Sequence, residues 1–202
     1  RQFQLQFLLG ASTQPIAARD IVRRITVTPA ATEITYALES FTVRAVFLVP
    51  RDEPGALVLL EARATAPLAI VVGFLPVLQP MWPAGIGGQY SHWDGDAKAF
   101  VISEGRRRAR FLCGSPVAVE MSAPPAHMFA DSPLQFRLDV RPGDPPGRFI
   151  PIVIAGGDGL TPDETLALYR RLAADAPQLY AAPVAAARRR KEQTIASETP
   201  DP

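Results

Sequence analysis

The stretch Leu134-Gln135-Phe136-Arg137-Leu138-Asp139-Val140 alternates apolar and polar residues without a break. In an extended chain, successive side chains point to opposite faces. Leu134, Phe136, Leu138 and Val140 therefore share one face, and Gln135, Arg137 and Asp139 share the other. A strand with one dry and one wet face belongs to an antiparallel sheet that covers a core on one side only. The same alternation opens the chain, where Phe3, Leu5 and Phe7 interleave with Gln2, Gln4 and Gln6. Residues 41–49 repeat it, with Phe41, Val43, Ala45, Phe47 and Val49 on one face and Thr42 and Arg44 opening the other.

Working outward from these segments, the pattern predicts further strands at 25–27, 33–38, 56–62, 68–75, 97–103, 109–112, 117–121 and 149–155. The 56–62 and 68–75 segments are rich in Val, Ile and Leu, as central strands are. The 21 prolines fit this reading. Proline cannot donate to a sheet ladder and breaks helix interiors, so it collects at turns and strand ends. Pro50-Arg51-Asp52-Glu53-Pro54-Gly55 reads as a turn, and 76–88 reads as irregular. Ten or more strands before any helix predict a large antiparallel β-sandwich over residues 1–158, not alternating β/α units.

The period changes at Thr161-Pro162-Asp163-Glu164, a helix start. The Thr161 hydroxyl can accept an orphan backbone N–H, Pro162 is preset for the first helical position, and Glu164 can reach back to complete a capping box. Leu166, Tyr169 and Leu172 then form a stripe at helical spacing. Ala176-Pro177 is expected to end this helix. A second helical run, 178–196, is expected to be interrupted at Pro183. Residues 159–202 thus read as a C-terminal helical linker.

Composition narrows the function classes. Charges nearly cancel at net +1, which is unlike a dedicated nucleic-acid binder. The most apolar run, 66–78, is broken by Pro67, Gly73 and Pro76 and is too short for a membrane helix, so neither nucleic acid nor membrane is an expected partner. The single cysteine, Cys113, can form no intrachain disulfide and reads as a small buried hydrophobe. Gly156-Gly157-Asp158-Gly159 precedes a helix but lacks the Lys-Ser/Thr ending of a phosphate loop, so it reads as a turn. No cofactor is expected.

The densest polar and aromatic cluster runs from Trp82 to Glu104 and holds Trp82, Tyr90, His92, Trp93, Asp94, Asp96 and Glu104. Flat rings beside carboxylates can take a sugar, with ring faces on C–H groups and acids on hydroxyls. Trp82, Tyr90, Trp93 and Asp94 are the candidate substrate-binding residues. The competing reading is that the large aromatics anchor a long loop onto the core. Two acids at a suitable separation could hydrolyse a glycosidic bond, with Asp94, Asp96 and Glu104 as candidates. That reading is the weakest, and no catalytic residue is assigned. Asp94-Gly95-Asp96 lacks the other spaced oxygen ligands of a calcium loop, and His92 and His127 lack zinc-ligand spacing, so no metal site is expected. The basic runs Arg106-Arg107-Arg108 and Arg188–Lys191 read as solvated faces or as contacts to an acidic neighbouring domain.

Two stretches carry a resemblance. One is Leu78-Gln79-Pro80-Met81-Trp82-Pro83-Ala84-Gly85-Ile86-Gly87-Gly88-Gln89-Tyr90-Ser91-His92-Trp93, continuing through Lys98-Ala99-Phe100-Val101-Ile102-Ser103-Glu104. The other is Thr194-Ile195-Ala196-Ser197-Glu198-Thr199-Pro200-Asp201-Pro202. Together they resemble the N-terminal region of bacterial glycogen debranching enzymes, or amylo-α-1,6-glucosidases. The resemblance implies a supersandwich-like β domain joined by a helical linker to an (α/α)6 barrel that carries two catalytic carboxylates. The ending resembles the entry to the first barrel helix, so the expected partner is a C-terminal (α/α)6 catalytic domain of the same parent chain, with an α-glucan or oligosaccharide as a further partner. On this reading the chain is not itself an enzyme. The alternative is a free-standing carbohydrate-binding module.

Overall fold

The structure is a computed structural model that describes residues 3–78, 89–104, 109–122, 133–145 and 147–193. Trp82, His127, the Arg106–Arg108 run and the 194–202 ending lie outside the described residues. The chain is mainly β, and its described residues form two antiparallel sheets and, near the C-terminus, two α-helices.

The strands are β1 (Gln4–Leu9), β2 (Ile16–Ala17), β3 (Val22–Val27), β4 (Thr32–Leu38), β5 (Phe41–Leu48), β6 (Gly55–Ala64), β7 (Leu68–Phe74), β8 (Gln89–Asp94), β9 (Ala99–Glu104), β10 (Ala109–Gly114), β11 (Val119–Glu120), β12 (Leu134–Val140) and β13 (Ile150–Asp158). A short 3-10 turn, Ala18–Ile21, joins β2 to β3. The helices are α1 (Pro162–Ala174) and α2 (Ala176–Gln193). The smaller sheet has the order β11-β12-β7-β1-β2, and the larger β3-β4-β5-β6-β13-β10-β9-β8.

The alternation read in 134–140 is realised in β12, where Leu134, Phe136, Leu138 and Val140 are buried. They meet Phe7, Ile70 and Val72 of their own sheet and Phe41, Val43, Leu60, Phe100 and Ile152 of the larger one in a single inter-sheet core. The larger sheet is dry on its other face as well. Val46, Leu48, Leu57, Leu59, Val101, Leu112, Val153 and Ala155 lie there against Leu168, Tyr169 and Leu172 of α1. This explains why β6 reads as an apolar run and not as an alternation: a strand covered on both sides has no wet face.

Several boundaries differ from the sequence expectation. Residues 97 and 98 belong to the β8–β9 turn, and only 119–120 of the expected 117–121 strand are paired. β13 continues through Gly156 and Gly157 instead of stopping before them. There Gly156 has φ +144°, and a Cβ would stand 2.0 Å from the Arg110 carbonyl oxygen, so the β10–β13 approach requires glycine. Gly114 meets the same constraint, 2.3 Å from the Lys98 carbonyl oxygen. The α1 stripe is centred on Leu168, Tyr169 and Leu172, with Leu166 only half-buried. α2 runs through Pro183 without interruption.

Candidate functional site

Among the described residues, the segment of the candidate sugar residues forms an edge strand, β8, paired with β9. Alternation along β8 sends Gln89, Ser91 and Trp93 to one face and Tyr90, His92 and Asp94 to the other. The first face is the sandwich interior. Trp93 packs edge-on against Phe100 with centroids 4.9 Å apart, and tilted against Phe136 of the opposite sheet at 6.5 Å. Its ring bridges the two sheets. Gln89 is buried, and its amide bonds at both ends: Oε1 accepts from the Leu78 backbone N–H (2.8 Å) and Nε2 donates to the Pro76 carbonyl (3.1 Å). This amide ties the irregular residues 75–78 to the sheet edge and meets the rule that buried polar groups find partners.

Asp94 closes the hairpin. Its Oδ1 accepts from the backbone N–H groups of Asp96 (3.0 Å) and Ala97 (2.9 Å), the local bond pattern that suits aspartate to turns. Lys98 ends the same turn at φ +51°. Tyr90 has an exposed ring, at 43%. It lies four positions from Asp94 on the same strand, about 13 Å away at the rise of a β-strand. Of the four candidates, then, Trp93 points inward, Asp94 holds a turn, Tyr90 faces outward, and Trp82 is outside the described residues. Trp93 does not converge with the other two.

A different set of side chains does converge. On the outer face of the larger sheet, Arg44 of β5 stands directly opposite Glu61 of β6. Its Nη2 is 2.9 Å from Glu61 Oε2, and its Nη1 is 3.3 Å from Glu33 Oε2 of β4. The guanidinium also lies 5.7 Å from the Phe149 ring centroid and 5.9 Å from that of Tyr180 in α2. The Tyr180 hydroxyl donates to Glu33 Oε1 at 2.6 Å. Burial alone would lower the Arg44 pKa, but Glu61 and Glu33 outweigh it, and the net shift is upward. Burial and then the bond to Glu33 raise Tyr180. This cluster fastens α2 to the sandwich. Its sequence signal is Glu61, a lone charge at the end of the apolar run Leu57–Leu60, where a charge calls for a partner.

α1 is fastened by packing and by its ends. Thr161 and Glu164 form the expected capping box, with Glu164 N–H donating to Thr161 Oγ1 (3.2 Å) and Thr161 N–H donating to Glu164 Oε2 (2.8 Å). The Thr161 backbone N–H, and then the Thr161 hydroxyl, which also donates to Glu164 Oε2 (2.8 Å), hold the Glu164 carboxyl below its usual range. Arg171 meets Glu53 of the β5–β6 turn with two parallel bonds, one of them 3.0 Å from Nε to Oε1. Cys113 is buried among apolar side chains, and burial pushes its thiol up to about 12.

Among the described residues no group of three or more His, Cys, Asp or Glu side chains is gathered as a metal site would need. No described helix is long and apolar enough to cross a membrane. No known family's sequence profile matches the chain, and no curated protein matches it.

Proposed function

We propose that the chain is the non-catalytic N-terminal β-sandwich of a glycoside hydrolase of the glycogen-debranching kind, where it packs on a catalytic (α/α)6 barrel and shapes its cleft. The observation that carries the reading is the passage of a two-sheet sandwich into a two-helix arm bonded to its flank. That is the layout the sequence resemblance implies for a domain followed by a linker. The duties of the carboxylates support it. Glu33 and Glu61 balance Arg44, Glu53 holds Arg171, Asp94 closes a turn and Glu164 caps a helix. Groups committed in this way serve the fold rather than proton transfer to a glycosidic oxygen.

Two measurements test the proposal. Incubation with maltooligosaccharides and a branched limit dextrin is expected to release no glucose; steady release would overturn the non-catalytic role. An antiserum against the chain is expected to detect a native polypeptide several times its length, and a native product of this chain's own size overturns the multidomain reading.

The second reading is a free-standing carbohydrate-binding module, favoured by the exposed ring of Tyr90. Calorimetric titration with maltooligosaccharides separates the two. Saturable binding that Tyr90→Ala abolishes supports the module.

A further inference from the structure

We propose that the open end of the sandwich around Phe3 is the surface on which the domain following α2 in the parent polypeptide docks, an assignment that rests on the function proposed above. The start of β1, the end of β7, the β3–β4 turn and the start of β6 all lie at this end. Phe3 and Ile154 separate two openings there. One, about 460 Å3, is lined by Phe74, Leu78, Ile102 and Phe111 among others. The other, about 570 Å3, runs between the β3–β4 turn and Phe47, Val49 and Leu57. Among the described residues, no Asp, Glu, Lys, Arg or His lines either opening. Val27 and Val49, at the rim, are 73% and 74% exposed. A contiguous apolar surface of this kind marks an interaction site.

The chemistry selects a protein surface over a glucan. A sugar chain brings hydroxyls that need partners, and the described walls offer no charged side chain and only the hydroxyls of Thr28 and Thr32, so burying the sugar hydroxyls would cost free energy. An apolar helix face meets the same walls without loss. The course of α2 selects which protein surface. Tyr180 sits over Arg44 in mid-sheet, while Val184, Ala187 and Arg188 face Pro29 and Ala30 of the β3–β4 turn across an opening of about 450 Å3. Pro29 and Ala30 also border the larger opening. The helix thus carries the chain to the apolar end, and a domain attached after it is held there at high effective concentration.

The test compares the natural full-length protein with the 202-residue chain by hydrogen exchange. In the full-length protein, amides of Thr28, Ala30, Ala31 and residues 47–49 are expected to exchange at least about tenfold more slowly. Amides of β2 and β11 are expected to be unchanged. Val49→Glu provides a second arm. It is expected to leave the melting temperature of the isolated chain unaltered and to split the single melting transition of the full-length protein into two. A longer, active parent with unchanged exchange at Thr28, Ala30, Ala31 and 47–49 overturns the docking surface alone. A native product no longer than this chain overturns both proposals, whereas glucan binding at this end or self-association through it overturns the docking surface alone.

Discussion

Trp93 shows how a residue type can suggest two roles that only its surroundings separate. Its ring spans the sheets between Phe100 and Phe136, so Trp93→Ala is expected to destabilise the chain by about 3–5 kcal/mol in urea unfolding. Tyr90→Ala, on the exposed face, is expected to stay within about 0.5 kcal/mol of the parent, which makes it the clean probe of sugar binding. The aromatic content of 82–104 was legible, but the direction of each ring was not, because alternation assigns faces only once the strand is recognised. Cys113 was legible, since a lone cysteine within an apolar strand is a packing residue. Its raised thiol has a signed consequence. The protonated form is favoured in the fold, so that stabilisation is complete below the ordinary thiol pKa of about 8.5 and declines as pH climbs toward about 12. Iodoacetamide at pH 8 is expected to modify Cys113 only after denaturation. Gly156 was read as a turn residue but serves a close strand crossing. Gly156→Ala is expected to cost about 2–3 kcal/mol by thermal or urea unfolding.

At the scale of elements, the α1 start was fully legible, because a capping box is written in four consecutive residues. Thr161→Ala removes the side-chain acceptor and is expected to cost about 1 kcal/mol. The Glu164 carboxyl is held below its usual range, so its contribution is present above the ordinary carboxylate pKa and fades as pH falls through the lower folded value. Melts followed from pH 6 to pH 2 are expected to show that fading component in the parent and its loss in Glu164→Gln. Less legible was β8, whose polar and aromatic content resembles a loop; its pairing with β9 comes from Gln89, Ser91 and Trp93 turning inward, a fact of tertiary packing. The persistence of α2 through Pro183 was not foreseen either. A proline sacrifices one helical bond and crowds the preceding turn, but Tyr180, three residues before it, is fixed to Glu33 and Arg44 and holds the helix on its sheet.

For the molecule as a whole, the sandwich class followed from many strands, several of them alternating, preceding any helix. The partition of strands between sheets did not, because it depends on contacts distant in sequence. β13 is the clearest case. It lies between β6 and β10 in the larger sheet and zips two blocks, β3–β6 and β8–β10, into one. Pro151 is tolerated in this central strand because β10 pairs only from Val153 onward, beyond the proline. There is a consequence for biosynthesis. As the ribosome delivers the chain, β6 and β10 emerge long before the strand that joins them, and each waits with an apolar, unpaired edge. Non-local pairing of this kind is slow, and open edges invite association with other nascent chains. A chain ending at residue 148 is therefore expected to pellet on centrifugation, and one ending at residue 193, which keeps β13 and the α1 that covers the outer face, to stay in the supernatant. The vulnerable interval in the life of this protein is the time between the appearance of Gly55 and the arrival of Asp158.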